Sequence, residues 1–227
     1  MTSGTASNSC VNLCASPYET TLRQGASALG LSLNGTQITQ LLGYHALIQK
    51  WNKVYNLTAI RDPAEMLTHH LLDSLAIVAP LKRQTAGLVV SMLDVGAGAG
   101  LPGVVVAICC PSIHVTCVDA VAKKMAFVQQ VATELKLPNL KALHARVETL
   151  TDKYDIITSR AFATLLDFVN GSRAALKSDT GVWLAMKAKD TSAEVAELPA
   201  NVAVFHVEQL VVPGLDAERC IVWMRAK

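Results

Sequence analysis

Hydrophobic positions change their period twice along the chain. Residues 1 to about 18 are rich in Ser, Thr, Asn and Cys and show no hydrophobic period, so they are expected to form a loose tail. From Glu19 to about Pro80 the pattern is helical. Ile38, Leu41, Leu42, His45 and Ile48 recur at threes and fours, and Leu67, His70, Leu71, Ser74, Leu75 and Val78 do so again. Asp62 is placed to cap the second helix, Pro63 suits its first position, and Glu65 stands where a capping box needs an acid. The spacing therefore predicts an N-terminal helical subdomain over residues 19–85, following a tail over 1–18.

After Lys82-Arg83-Gln84-Thr85 the period changes to short apolar runs separated by helices: Leu88–Val95, Ile113–Val118, Leu140–His144, Tyr154–Thr158 and Val182–Met186. Such alternation predicts a parallel sheet covered on both faces. Val121–Lys136 is the clearest intervening helix, with Val121, Met125, Val128, Ala132 and Leu135 on one face. Near the end the alternation stops. Val202–Val212 and Cys220–Met224 read as strands joined through Pro213-Gly214, too close for a crossover helix, and so antiparallel. The expected fold class is α/β over residues 86–227: Rossmann-like, mostly parallel, with an antiparallel terminal hairpin.

Composition narrows the class. With 227 residues, 51% hydrophobic and 17% charged, and a mean hydropathy of +0.33, a largely disordered chain is excluded. The longest uninterrupted apolar run, Val104–Cys110, is far short of the roughly 20 residues that span a bilayer. The leading stretch is polar and its first basic residue is Arg23, unlike a secretory leader, so a cytoplasmic, membrane-free protein is expected. Six cysteines without a CxxC read as free thiols, and no metal site is expected. The formal charge is +2, and none of residues 1–90, 91–160 or 161–227 is a polycation, so any nucleic-acid recognition must rest on a few placed residues.

The strongest chemical signal is Asp94-Val95-Gly96-Ala97-Gly98-Ala99-Gly100-Leu101-Pro102-Gly103, where the first buried strand gives way to a helix. Glycines there let a cofactor approach the backbone. Gly98, Gly100 and Gly103 satisfy GxGxxG, and Asp119 follows Gly100 by 19 residues, as a dinucleotide fingerprint asks. A ligand-free turn is the plainer alternative, although so many glycines weaken a turn more than folding alone needs. The terminal hairpin argues against a second mononucleotide-binding half. Asp94 is placed to face an amine-bearing ligand, and Asp119 to accept from ribose hydroxyls, which suits S-adenosylmethionine.

Five motifs in order carry a more specific resemblance: Lys50-Trp51-Asn52-Lys53-Val54-Tyr55-Asn56-Leu57-Thr58, His70-Leu71-Leu72-Asp73-Ser74, the DVGAGAGLPG loop, Arg146-Val147-Glu148, and Ser159-Arg160-Ala161. From about Leu22 onward the chain resembles the bacterial ribosomal RNA small-subunit methyltransferase G family, also called glucose-inhibited division protein B. The resemblance implies a class I methyltransferase fold and S-adenosylmethionine-dependent methylation of a guanine N7 in 16S rRNA, with rRNA or the small ribosomal subunit as partner and a monomer as the working state. It implies a cofactor against Gly96, Gly98 and Leu101, Asp119 near the ribose, Val147 and Glu148 around the adenine, and Arg160 at the end of the fourth strand. Ala97, Ala188 and His69 depart from the family's usual Ser or Thr, Gly and Arg.

Guanine N7 carries an unprotonated lone pair, so attack on a sulfonium methyl needs no general base, and alignment does the catalysis. No Asn-Pro-Pro-Tyr type tetrapeptide follows the fourth strand, where Ser159-Arg160-Ala161-Phe162 stands, and no Pro-Cys pair occurs. Arg160 is expected to orient cofactor or base, with a surface ion pair as the plainer alternative, and Lys187 suits either a phosphate or base contact or a solvated lysine. His70 and Asp73, three apart on a helix, share a face and are within reach of a hydrogen bond, and His70 suits either docking of the helical subdomain or shaping of the substrate entrance. His45 reads as a core histidine. Trp51 and Tyr55 suit either base stacking or packing, and Lys50, Lys53, Arg61, Lys82 and Arg83 suit a basic rim.

Overall fold

The computed structural model describes residues 17–162, 164–188 and 191–227. The expected tail, with Cys10 and Cys14, lies outside these residues except at its end, where Pro17 and Tyr18 already belong to the first helix. The helices α1 (Pro17–Ala28) and α2 (Gly35–Tyr55) come first. Asn34 caps α2 in a full reciprocal box with Gln37, and Asn56 ends it in the left-handed region at φ +50°.

The second predicted helix begins as expected: Asp62 accepts from the N–H groups of Ala64 and Glu65 at 2.9 Å each, ahead of α3 (Pro63–Met66). It does not continue as one α-helix. The chain widens into a π-helical turn over Leu67–Leu72, resumes as α4 (Asp73–Leu75), and turns into α5 (Val78–Thr85). Residues 70–78 are buried on every side, so the two-faced helix implied by the periodicity is replaced by an enclosed segment. π-turns occur mostly as single insertions within α-helices, frequently at functional sites, and this one carries His69 and His70.

The sheet contains β1 (Val90–Val95), β2 (Ile113–Asp119), β3 (Leu140–His144), β4 (Ile156–Arg160), β5 (Val182–Lys187), β6 (Val202–Leu210) and β7 (Arg219–Ala226). Their spatial order is β3-β2-β1-β4-β5-β7-β6. The first five are parallel, while β7 runs antiparallel between β5 and β6. The helices α6 (Gly103–Cys109) and α7 (Ala122–Glu134) pack on one face, and α8 (Leu165–Ser172) on the other; the short α9 (Ser192–Ala196) follows β5.

Alternation along β1 divides the core. Met92 faces the N-terminal helices with Tyr44, Leu71, Val105 and Phe127, whereas Leu93 and Val95 face Phe168, Val169 and Trp183. The N-terminal helices thus bury their apolar stripe in the same core as one face of the sheet. Trp183 is fully buried and satisfies its indole N–H on Ser172 Oγ at 2.9 Å. Among the described residues no helix is long and apolar enough to cross a membrane, and the described cysteines, Cys109, Cys110, Cys117 and Cys220, are buried and form no disulfide with one another.

Candidate active site

The carboxyl ends of the parallel strands carry two neighbouring depressions that share Phe162. Open α/β sheets bind ligands along this edge because the strand-to-helix loops diverge there. The smaller pocket, about 240 Å³, is lined by Gly96, Asp119, Arg146, Val147 and Glu148 among others. It gathers segments from the ends of β1, β2 and β3.

The turn after β1 is held from beneath. Gly96 and Ala97 donate to the carbonyl of Val118 at 2.9 and 3.1 Å, and Gly98 donates to Asp119 Oδ2 at 3.0 Å. Asp119 Oδ1 accepts from Val121 at 2.9 Å, so one carboxylate ties the glycine turn to the start of α7. Lys124 Nζ also approaches Oδ2, at 3.5 Å, whereas Oδ1 retains acceptor capacity for a further donor. All four glycines have a folding reason: Gly96, Gly98 and Gly100 lie at φ +65°, +59° and +90°, and a Cβ on Gly103 would stand 2.5 Å from Cys117 Sγ and 2.7 Å from Asp94 Oδ2. The glycine content alone therefore does not separate a ligand loop from a tight turn.

Asp94 does not face a pocket. It is fully buried, its Oδ2 accepts the Gly103 N–H at 2.8 Å, and its Oδ1 has no partner. Burial raises its pKa to about 7, against the opposing pull of the Gly103 hydrogen bond. Leu101 is likewise buried and lines neither depression.

The larger cleft, about 430 Å³, is lined by residues that include Ile60, His70, Asp73, Arg160, Phe162, Lys187, Glu194 and Arg219. Asp73 is its hub. Asp73 is buried, and its Oδ2 accepts from Arg160 Nη1 at 2.9 Å while its Oδ1 accepts from Arg219 Nε at 2.8 Å. Arg160 Nη1 also donates to the carbonyl of His69, on the π-turn, at 2.8 Å. Lys187 is not a solvated lysine: it pairs with Glu194 at 2.9 Å with 12% of its side chain exposed.

The His70–Asp73 hydrogen bond that the spacing allows is not formed. His70 Nε2 lies 2.9 Å from Thr58 Oγ1, and both oxygens of Asp73 are taken by arginines. Burial, reinforced by the charge on Arg160, lowers the His70 pKa to about 4, so the imidazole is neutral at pH 7. The KWNKxxNLT motif accounts for Thr58. Asn52 is buried, accepts the Thr58 N–H at 2.9 Å and donates to the Ile60 carbonyl at 3.1 Å, holding the loop that forms one wall of the cleft. The Trp51 ring packs on Tyr55 and Phe127, with centroids 5.0 and 5.4 Å apart, so packing accounts for it. His45 sits in the core against the Pro63 carbonyl at 2.8 Å, and Arg83 of the suggested rim is paired with Glu208.

With this geometry in view, comparisons with known proteins decide the family. The family model for rRNA small subunit methyltransferase G matches residues 37–222. The chain belongs to that family. It is 64% identical over 217 residues to the Ribosomal RNA small subunit methyltransferase G of Albidiferax ferrireducens, covering 91% of this chain and 96% of the relative. It is 63% identical over 215 residues to the protein of the same name from a Polaromonas species, covering 92% and 94%. Among solved structures, the magnesium protoporphyrin IX methyltransferase of Synechocystis with bound SAH aligns at a TM-score of 0.60 and 11% identity, over 81% of this chain and all of that one. TrmN from Thermus thermophilus aligns at 0.56 and 16% identity, over 71% and 53%. The fold is that of class I methyltransferases, and the alternative of a dinucleotide-dependent oxidoreductase falls away.

Within the family's motifs, the structure brings Gly96, Asp119, Val147 and Glu148 to one pocket and His70, Asp73, Arg160 and Lys187 to the other. Sequence reasoning missed Arg219, Glu194 and Phe162. Arg219 is 146 positions from Asp73 in the chain. The hairpin of β6 and β7 is legible in the sequence, but it is the pairing of β7 with β5, Cys220 beside Lys187, that returns the first residue of β7 to the edge where β5 ends.

Proposed function

We propose that the protein transfers a methyl group from S-adenosylmethionine to N7 of a guanine in small-subunit rRNA. The chain's own residues fit the cofactor. Asp119 presents a carboxylate at the end of β2, Gly96 leaves the pocket mouth open where a side chain would project, and Val147 and Glu148 close the far wall. When bound, S-adenosylmethionine supplies an electrophilic methyl on a sulfonium.

One observation favours N7 over an atom that must first lose a proton. Both carboxylates lining the larger cleft are committed to cations, Asp73 to two arginines and Glu194 to Lys187, and the His70 ring is engaged by Thr58 on one nitrogen and buried at the other. None of these three is poised as a general base; His69 also lines the cleft, with its backbone carbonyl held by Arg160. An N7 lone pair needs none, and what the cleft contributes is orientation: Arg160, fixed by Asp73 and the His69 carbonyl, holds a rigid donor array beside the cofactor pocket.

The test is incubation with small ribosomal subunits and with naked 16S rRNA, using methyl-labelled cofactor, followed by nuclease mapping. Label appearing as 7-methylguanosine at a single nucleotide is expected. Label on an exocyclic amine, a ribose or a pyrimidine, or no transfer to either RNA form, would overturn the reading.

A further inference from the structure

One carboxylate holding two guanidinium groups is an unbalanced arrangement. Arg160 and Arg219 are each only about one fifth exposed, at 19% and 20% of their side chains, and the single charge of Asp73 offsets one of them. Partly burying a second, uncompensated guanidinium is unfavourable unless an acceptor completes it. The remaining lining shows what shape that acceptor has. Ile60, Phe162 and Met186 line it together with the charged groups, a mixed lining that suits a flat heteroaromatic ring with an acceptor at its edge.

The two arginines occupy different ends of the cleft. Arg160 ends β4, which pairs with β1 and so lies beside the strand that leads into the glycine turn, on the cofactor side. Arg219 enters from β7, on the opposite side of β5, and grips Asp73 through Nε. Its Nη1 donates to the Glu218 carbonyl, and its Nη2 has no partner among the described residues. We infer that Arg219 donates to O6 of the target guanine and thereby selects guanine over adenine. The inference rests on the N7 reading above. Guanine's Hoogsteen edge presents two acceptors, N7 and O6, whereas adenine presents an amino group in place of O6. N7 must keep its lone pair for the methyl group, so a donor that fixes the ring must go to O6 alone. An adenine amino group in that place would meet the guanidinium donor to donor.

The test uses small-subunit RNA in which the methylated guanosine, once mapped, is replaced by 2-aminopurine through ligation of a synthetic strand. This analogue keeps N7 and lacks O6. Wild-type protein should methylate the guanosine RNA about 10- to 100-fold faster in kcat/KM than the analogue, the discrimination expected of one base-edge contact. Arg219→Gln and Arg219→Lys should bring the two substrates to within about threefold, by slowing guanosine only, while S-adenosylhomocysteine affinity stays within about twofold. A variant that retains the wild-type preference overturns the inference, whether both rates fall together, as a structural role requires, or the salt slope of RNA binding flattens, as a phosphate contact requires. So does a tenfold loss of S-adenosylhomocysteine affinity, which would place Arg219 on the cofactor. Arg219→Lys guards against misfolding, because it keeps a cation for Asp73. If wild-type protein methylates no guanine N7, it is the functional reading that fails; if it does so without preference over the analogue, the Arg219 inference fails alone.

Discussion

Replacing Asp73 with Asn tests whether the cleft is assembled by charge or merely by shape. The amide is nearly isosteric and keeps one acceptor, but its NH2 group must face a guanidinium N–H. The change removes two charge-assisted hydrogen bonds, to Arg160 at 2.9 Å and Arg219 at 2.8 Å, from a carboxylate whose side chain is 4% exposed. Such bonds contribute about 1.5–3 kcal/mol each. Both guanidiniums reach solvent at their outer faces, so part of the loss is recovered by hydration, and a net cost of about 3 kcal/mol is expected, at the low end for breaking a buried pair. For a chain of this length that corresponds to a fall in Tm of about 6–12 °C. Thermal and urea unfolding of Asp73→Asn at low ionic strength measure it. The double variant Asp73→Asn/Arg219→Gln removes one of the two orphaned cations and should recover at least about 0.5 kcal/mol relative to additivity. A fall in Tm below about 2 °C, or strict additivity, would show that the arginines are held by something other than this carboxylate.

Two further consequences concern the glycine turn. Gly103→Ala places a methyl 2.5 Å from Cys117 Sγ and 2.7 Å from Asp94 Oδ2, both fully buried, and should cost about 1–3 kcal/mol by overpacking; adding Cys117→Ala should return part of that loss in urea melts, and no recovery would place the strain elsewhere. Asp94 has a folded pKa of about 7 against an ordinary value of 3.8, so this group favours folding while protonated, and its contribution is lost as pH rises from about 4 through 7. His70, at about 4 against 6.5, acts in the opposite sense, lowering stability as pH falls from about 6.5 to 4. Asp94→Asn abolishes the first term alone. Its stability relative to wild type should therefore increase between pH 5 and pH 8 by a few kcal/mol at most, and a difference independent of pH in matched urea melts would refute the buried-acid account.

Much of this protein is determined by local pattern. The five parallel strands, the α7 helix, the Asp62 cap and the terminal hairpin all follow from periodicity and turn residues, because a strand buried on both faces is predominantly apolar, an edge strand such as β3 less so, and a helix with one buried face must repeat near 3.6. The resemblance likewise places Asp119 and Arg160 at strand ends and Val147 in the turn after β3, since motif position and strand position are both written in chain order. What sequence could not determine is which side chains meet across the sheet's edge. His70 and Asp73 share a helical spacing, yet the chain widens into a π-turn there, Thr58 takes the histidine, and arginines from β4 and β7 take the aspartate. Asp94 stands beside the glycines in sequence, but the register of β1 turns it inward against Gly103 rather than toward a ligand. These choices depend on strand order and on competition among partners far apart in the chain. Arg219 reaches the cleft because β7 is inserted antiparallel beside β5, a long-range pairing that leaves no periodic trace in the residues around it.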